Sequence, residues 1–76
     1  MAKNAYQKSG EDIAVLISEA KIRQGIHDET LCDRIDVAKS TIRNMKSQKR
    51  LPMLPFWKVL LIAEMAGYNV RFEKKN

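Results

Sequence analysis

One cysteine, one histidine, three glycines and two prolines are all that the 76 residues hold of the amino acids that constrain a chain most. A lone Cys32 excludes an internal disulfide and suits a reducing compartment better than a secreted scaffold. His27 and Cys32 are each the only one of their kind. They fall short of the three or four ligands of a metal site, so no metal is expected. They are no catalytic pair either, because Cys32 belongs to an apolar face directed into helix packing. With no glycine-rich phosphate loop in sight, neither a cofactor nor an enzymatic activity is expected. The longest apolar run, residues 55–67, is interrupted by Lys58 and Glu64. It falls short of the ~20 apolar residues that span a bilayer. The first ten residues lack the apolar core of a signal peptide. The expectation is a cytoplasmic protein, cytosolic or nucleoid-associated, with no membrane partner.

Seventy-six residues make one domain. A domain of this size buries only about 60% of its unfolded surface, so its own core is marginal. The net charge is +5 and unevenly spread. Residues 11–36 carry seven acids against three bases, whereas residues 37–58 carry Lys39, Arg43, Lys46, Lys49, Arg50 and Lys58 and no acid. A solvated lysine-rich surface is the ordinary meaning of a basic run. Here the run coincides with a helix and the loop behind it, which favours a phosphate-facing surface.

Residues 1–10 are polar and aperiodic and read as a flexible arm. A first helix is expected from about Ser9 or Gly10 to Gln24. Glu11 and Asp12 lie at its positive end, and Ile13, Leu16, Ile17 and Ala20 form one stripe. Gly25 ends it as a left-handed cap, and Ile26 folds back as an apolar plug. A second helix should start near His27 or Asp28 and end near Ile35. Asp36 then stands where the chain must turn, and a positive φ is expected there, since Asp tolerates the left-handed region better than most residues. A third helix should run from Ala38 or Lys39 to Lys46 or Ser47. Residues 47–55, with both prolines, form a loop. A fourth helix starts at about Pro55 and stops at Gly67. It is apolar nearly all round, more than a small monomer can cover. In the tail, Tyr68, Val70 and Phe72 alternate with Asn69, Arg71 and Glu73, the period of a β-strand. A lone strand leaves its backbone unpaired, so pairing with a second copy across a two-fold axis is expected. The division is thus an arm over 1–10, a helical domain over 11–67 and a dimerising tail over 68–76.

Residues 28–50 organise the rest. Leu31, Cys32 and Ile35 mark one face of a short helix, and Ile42 and Met45 the inner face of a second. Two short amphipathic helices separated by about three residues make the pattern of a helix-turn-helix. The outer face of the second carries Lys39, Ser40, Arg43 and Asn44, with Lys46, Lys49 and Arg50 behind, a face suited to a DNA major groove.

This pattern resembles the helix-turn-helix of the Cro and phage-repressor type, the Xre family. The resemblance rests on Cys32 at the tight helix-packing site, Val37 after the turn, Ile42 and Met45, and STIRNMKSQKRLP, which looks like the family's recognition helix and its Gly-Lys-x-x-Pro loop. It reaches back to Ile13, Ile17 and Gly25 and forward to Ile62, Ala63 and Gly67. It implies a mainly α fold, a four- to five-helix lambda-repressor-like DNA-binding domain, here with a short C-terminal β-strand in place of the fifth helix. By position, Lys39, Ser40 and Asn44 resemble base-contacting residues, and Arg43 reaches base or phosphate. Ser47, Lys49 and Arg50, with Lys46 beside them, match the phosphate-contacting loop. The chemistry agrees, since Lys and Arg donate to guanine and Asn pairs with adenine. This chain departs from the family with Asp36 in place of Gly, Asp28 in place of a polar residue such as Gln, and Gln48 in place of the loop Gly.

Phe56, Trp57, Tyr68 and Phe72 could stack on bases as in single-strand binders. Their interleaving with Leu, Ile and Val points instead to core or dimer contacts, with Trp57, Tyr68, Val70 and Phe72 as the dimerising set. Met45, Met53 and Met65 read as core or near-core filler. The expected function is that of a dimeric, sequence-specific regulator bound to double-stranded DNA, a repressor of phage, mobile-element or antitoxin type. The alternative is a protein-interaction module of the same fold, binding a partner such as a toxin without base readout.

Overall fold

The computed structural model describes residues 3–75. Four α-helices occur there, α1 (Ala5–Gln24), α2 (Asp28–Arg34), α3 (Lys39–Ser47) and α4 (Phe56–Met65), with a single 3-10 turn at Leu51–Met53. α1 is the spine, packing along α4 and the 3-10 turn, while α2 packs on α3. The core collects Ile13, Ile17 and Ala20 from α1, Leu31 and Cys32 from α2, and Ile42 from α3. Leu51, Leu54, Ile62 and Ala63 close it from the C-terminal half, and Ile35 fills the turn between α2 and α3. Each of the Ile and Leu side chains contributes roughly 1.5–3 kcal/mol when fully buried.

The expected stripe of α1 holds at Ile13, Ile17 and Ala20, but the helix begins earlier than its composition suggested. Asn4 caps it: the Asn4 side chain accepts from the Gln7 backbone N–H at 2.8 Å, and the Asn4 N–H donates to Gln7 Oε1 at 3.2 Å. This reciprocal pair satisfies two donors that a helix start leaves open. Residues 5–10, expected in an arm, are therefore the first turns of α1, while residues 1 and 2 of that arm lie outside the described residues. Gly10 is no cap but a mid-helix residue. A Cβ there would lie 3.3 Å from Pro52 Cδ, so glycine lets α1 approach the 3-10 turn.

Each α-helix stops with the same pair of backbone bonds, the Schellman arrangement. The left-handed residues are Gly25, Asp36, Lys49 and Gly67, with φ of 62°, 56°, 58° and 97°. The residue after each donates back into its helix: Ile26 to Lys21, Val37 to Cys32, Arg50 to Met45 and Tyr68 to Ala63. The positive φ expected at Asp36 is present. The loop's left-handed residue is Lys49, one position beyond Gln48.

The C-terminal strand expected from the sequence is absent: no strand occurs among the described residues. Alternation places side chains on two sides, but a strand exists only where its backbone finds a ladder partner. No other segment among the described residues supplies one. The tail instead caps α4 through the Tyr68 N–H and leans on the helices by its side chains. Tyr68 Oη donates to Glu19 on α1 at 2.8 Å, and the Phe72 ring lies 6.0 Å from that of Phe56. No helix among the described residues is long and apolar enough to cross a membrane.

Candidate nucleic-acid interface

At about 100° per residue, Lys39, Arg43, Ser47, Ser40 and Asn44 follow one another around one side of α3. Ile42 and Met45 lie opposite. Ile42 is buried and Met45 half-buried, so the core fixes the rotation of the helix and turns the polar side outward. All five outward residues are exposed, as are Lys46, Lys49 and Arg50. No hydrogen bond or ion pair among the described residues engages the side chains of Lys39, Ser40, Arg43, Asn44, Lys46, Lys49 or Arg50. The expected base-facing and phosphate-facing side chains thus form one continuous cationic ridge along α3 and the loop behind it.

Ser47 differs from its neighbours, because its hydroxyl donates to the Asn44 carbonyl at 3.1 Å. That proton serves the helix end, and a phosphate contact from Ser47 needs another rotamer. At the other end of α3, Ala38 is the N-cap and provides no side-chain acceptor. The Thr41 N–H donates to the Ala38 carbonyl at 3.0 Å, while the Lys39 and Ser40 N–H groups and the positive end of the helix dipole stay open to an anion.

Lys58, one of the six cations in the basic stretch, belongs to the scaffold. It is half-buried, and its Nζ donates to the Asp36 carbonyl at 2.9 Å and lies 5.2 Å from the centre of the Trp57 ring. It ties α4 to the turn between α2 and α3 and leaves Lys39, Arg43, Lys46, Lys49 and Arg50 as the ridge cations. Sequence reasoning missed this role, since nothing local to Lys58 points twenty-two residues back to Asp36.

Asp28 lies beside the ridge. Its carboxylate accepts from Lys21 Nζ at 2.6 Å. That hydrogen bond, opposed by desolvation and helped by the charges of Lys21, Lys39 and Lys46, holds its pKa below the ordinary carboxylate value. Asp28 therefore stays ionised near neutrality. Cys32 faces inward, and burial first, then Asp28 and Asp33, push its thiol pKa up, which keeps it protonated and unreactive.

The expected dimerising residues stay uncovered: Trp57, Tyr68, Val70 and Phe72 are all exposed, with Phe72 at 79% and its ring against Phe56. Phe56 is exposed too, and so is Met53, which was expected as core or near-core filler. The Tyr68 hydroxyl is engaged by Glu19 of its own chain, and this bond raises the tyrosine pKa. Two features went unread in the sequence. The N-x-x-Q signal of a capping box was present in residues 4–7, whereas the left-handed Lys49 carried no composition signal. No family model, no curated protein and no solved structure matches the chain.

Proposed function

We propose that this protein is a sequence-specific, double-stranded DNA-binding regulator that reads the major groove with α3, of the Cro and phage-repressor type that its sequence resembles. One observation carries the reading: the cations of the α3 ridge are exposed and have no hydrogen-bond or ion-pair partner among the described residues, while the opposite side of the same helix is anchored in the core. Lys39, Ser40, Arg43 and Asn44 are the base-reading set. Lys46, Lys49 and Arg50 hold the phosphates, with Ser47 joining after its hydroxyl rotates. Arg or Lys suits guanine O6 and N7, and Asn suits adenine. Phosphate contacts set the register of the helix on the duplex. The unit acts as a pair of copies meeting through the exposed side chains of α4 and the tail, Phe56, Trp57, Val70 and Phe72. Two copies of α3 would then read half-sites about 34 Å apart. The regulatory outcome of this reading is repression by occupying the DNA, in the manner of phage, mobile-element or antitoxin regulators.

A second reading draws on the same apolar surface. Met53, Phe56, Trp57 and Phe72 could seat a different protein, making the chain an interaction module without base readout. Selection of bound duplexes from a random pool, followed by salt titration, separates the two. The regulator enriches a two-fold symmetric site and loses affinity steeply between about 50 and 200 mM salt, as several phosphate contacts require. No enrichment and a flat salt response would leave only the interaction module. Light scattering at tens of micromolar tests the pairing, and a monomer there removes it.

A further inference from the structure

α3 is held by α2 and the 3-10 turn and not by close packing on α1. Between α1 and α3 two grooves therefore remain open. One, of about 310 Å³, lies among Lys3, Tyr6, Gly10, Ala14, Lys49 and Leu51. The other, of about 170 Å³, is floored by Ala14, Ile17, Cys32 and Ile42. Ala14 and Lys46 line both, so the two adjoin as one trough. Its depth comes from two small residues of α1 facing the gap, Gly10 and Ala14.

The charges at its rim are unbalanced. Glu11 and Asp28 are the two acids, and each already has a partner, Lys3 for Glu11 and Lys21 for Asp28. Lys39, Arg43, Lys46 and Lys49 line the same trough without one. An apolar floor under a rim of uncompensated cations does not suit a bare inorganic anion, which leaves the floor wet, nor a neutral apolar molecule, which leaves the cations unanswered. We propose that this trough binds a small amphiphilic anion, an apolar body with one carboxylate or sulfonate head. The body lies on Ala14, Ile17 and Leu51, and the head meets Lys46 with Lys49 or Lys39. The larger groove is of the size that small-molecule sites have, roughly 300–1,000 Å³.

A consequence rests on the DNA reading above. Lys46 and Lys49 are phosphate holders there, so a bound head group neutralises part of the ridge. The ligand and the duplex then weaken each other by the same factor, as linkage requires. An effector site would then lie beside the DNA-reading helix itself.

Octanoate is the probe, with acetate and octan-1-ol as its head and body alone. Calorimetric titration of the full chain without DNA should show one octanoate site, about tenfold or more tighter than either fragment. Ala14→Leu, which fills the floor, and Lys46→Gln, which removes the head contact, should each weaken it about tenfold or more. Should Ala14→Leu fail to fold, Lys46→Gln and Lys49→Gln carry the test alone. Octan-1-ol binding as well as octanoate, or octanoate indifferent to these variants, overturns the site. The second arm adds octanoate to the selected duplex complex. Release of DNA by octanoate from wild type but not from Ala14→Leu supports the coupling, and unchanged duplex affinity overturns it. Octanoate binding in a chain that retains no duplex would keep the site and end the DNA reading instead.

Discussion

α1 and α4 end on glycine, whereas α2 and α3 reach the same left-handed turn with Asp36 and Lys49. The backbone bonds are alike at all four ends, so the difference lies in the side chains. At Gly25 the chain needs only the conformation, since an added Cβ would meet nothing within 4 Å. At Gly67 the φ of 97° is harder still for an L-residue, while the Arg23 guanidinium 3.0 Å from an added Cβ is the end of an exposed, flexible side chain that can move aside. At Asp36 and Lys49 a side chain is kept although a left-handed L-residue costs roughly 1–2 kcal/mol, less for Asp. Strain of this kind collects where a side chain has a task. It falls here in the α2–turn–α3 unit and not in the α1–α4 frame, so on the proposed DNA reading the α1–α4 frame serves packing while the α2–turn–α3 unit tolerates strain to present charge.

The largest expected effects test that division directly. Ile62, fully buried on α4, should lose about 2–5 kcal/mol of stability as Ile62→Ala. Below the melting transition that variant should keep the wild-type preference among duplexes. Asn44→Ala should do the reverse, leaving the urea midpoint in place while costing about 1–3 kcal/mol on the selected site and relaxing base choice at one position. Competition binding against duplexes altered one base pair at a time reads this. If Asn44→Ala weakens all duplexes equally, the base-reading role is wrong.

Much of this was legible in the sequence because local physics fixed it. The bounds of α2 and α3 followed from apolar spacing and a turn, and positive φ at Asp36 from the lack of any better residue between two periodic segments. Where the reading failed, the cause was not local. Ser9 and Gly10 look like a helix start, but Gly10 answers to Pro52, which is distant in sequence. The tail has the alternation of a strand and no ladder partner in its own chain. Lys58 reads as one more cation of a basic run, yet its ammonium belongs to the Asp36 carbonyl. The ridge residues were identifiable by face alone, but that Ser47 already spends its proton on Asn44 needed coordinates.

The glycine ends sharpen the comparison at the next scale. Gly67→Ala should cost about 2 kcal/mol, the upper end of left-handed strain, because its φ of 97° lies farther from the left-handed helical well than the 62° of Gly25. Gly25→Ala, where an added Cβ meets nothing within 4 Å, should cost about 1 kcal/mol from strain alone. Chemical denaturation that ranked them the other way would remove the role given to the wider φ at Gly67. Lys49→Gly should run opposite to both. It relieves strain and raises stability by about 1 kcal/mol, yet it deletes a ridge charge, weakens every duplex alike and makes the salt slope shallower by about one. A variant that is both more stable and a weaker binder is the signature of strain kept for function. If Lys49→Gly binds as wild type does, the charge at that turn has no task.

Asp28 gives the smallest effect and the finest test, because its carboxylate feels the charges of Lys39 and Lys46 on the cationic ridge. Its pKa is lowered in the folded chain, so its contribution is present above the ordinary carboxylate value of 3.8 and is lost as pH falls through the lowered one. Because the Lys21–Asp28 pair is partly exposed, the amount at neutral pH is at most about 0.5 kcal/mol. Asp28→Asn should therefore be slightly less stable than wild type at pH 6, with the difference closing below pH 4. On DNA the same change should act with the opposite sign, tightening every duplex modestly at low salt and hardly at all at high salt, since it removes a negative charge beside Lys39 and Lys46. Melting curves across pH and binding at two salt concentrations give both numbers. An affinity that falls in Asp28→Asn would mean that the carboxylate positions a lysine for phosphate, and the edge of the reading unit would then have to be redrawn to include α2.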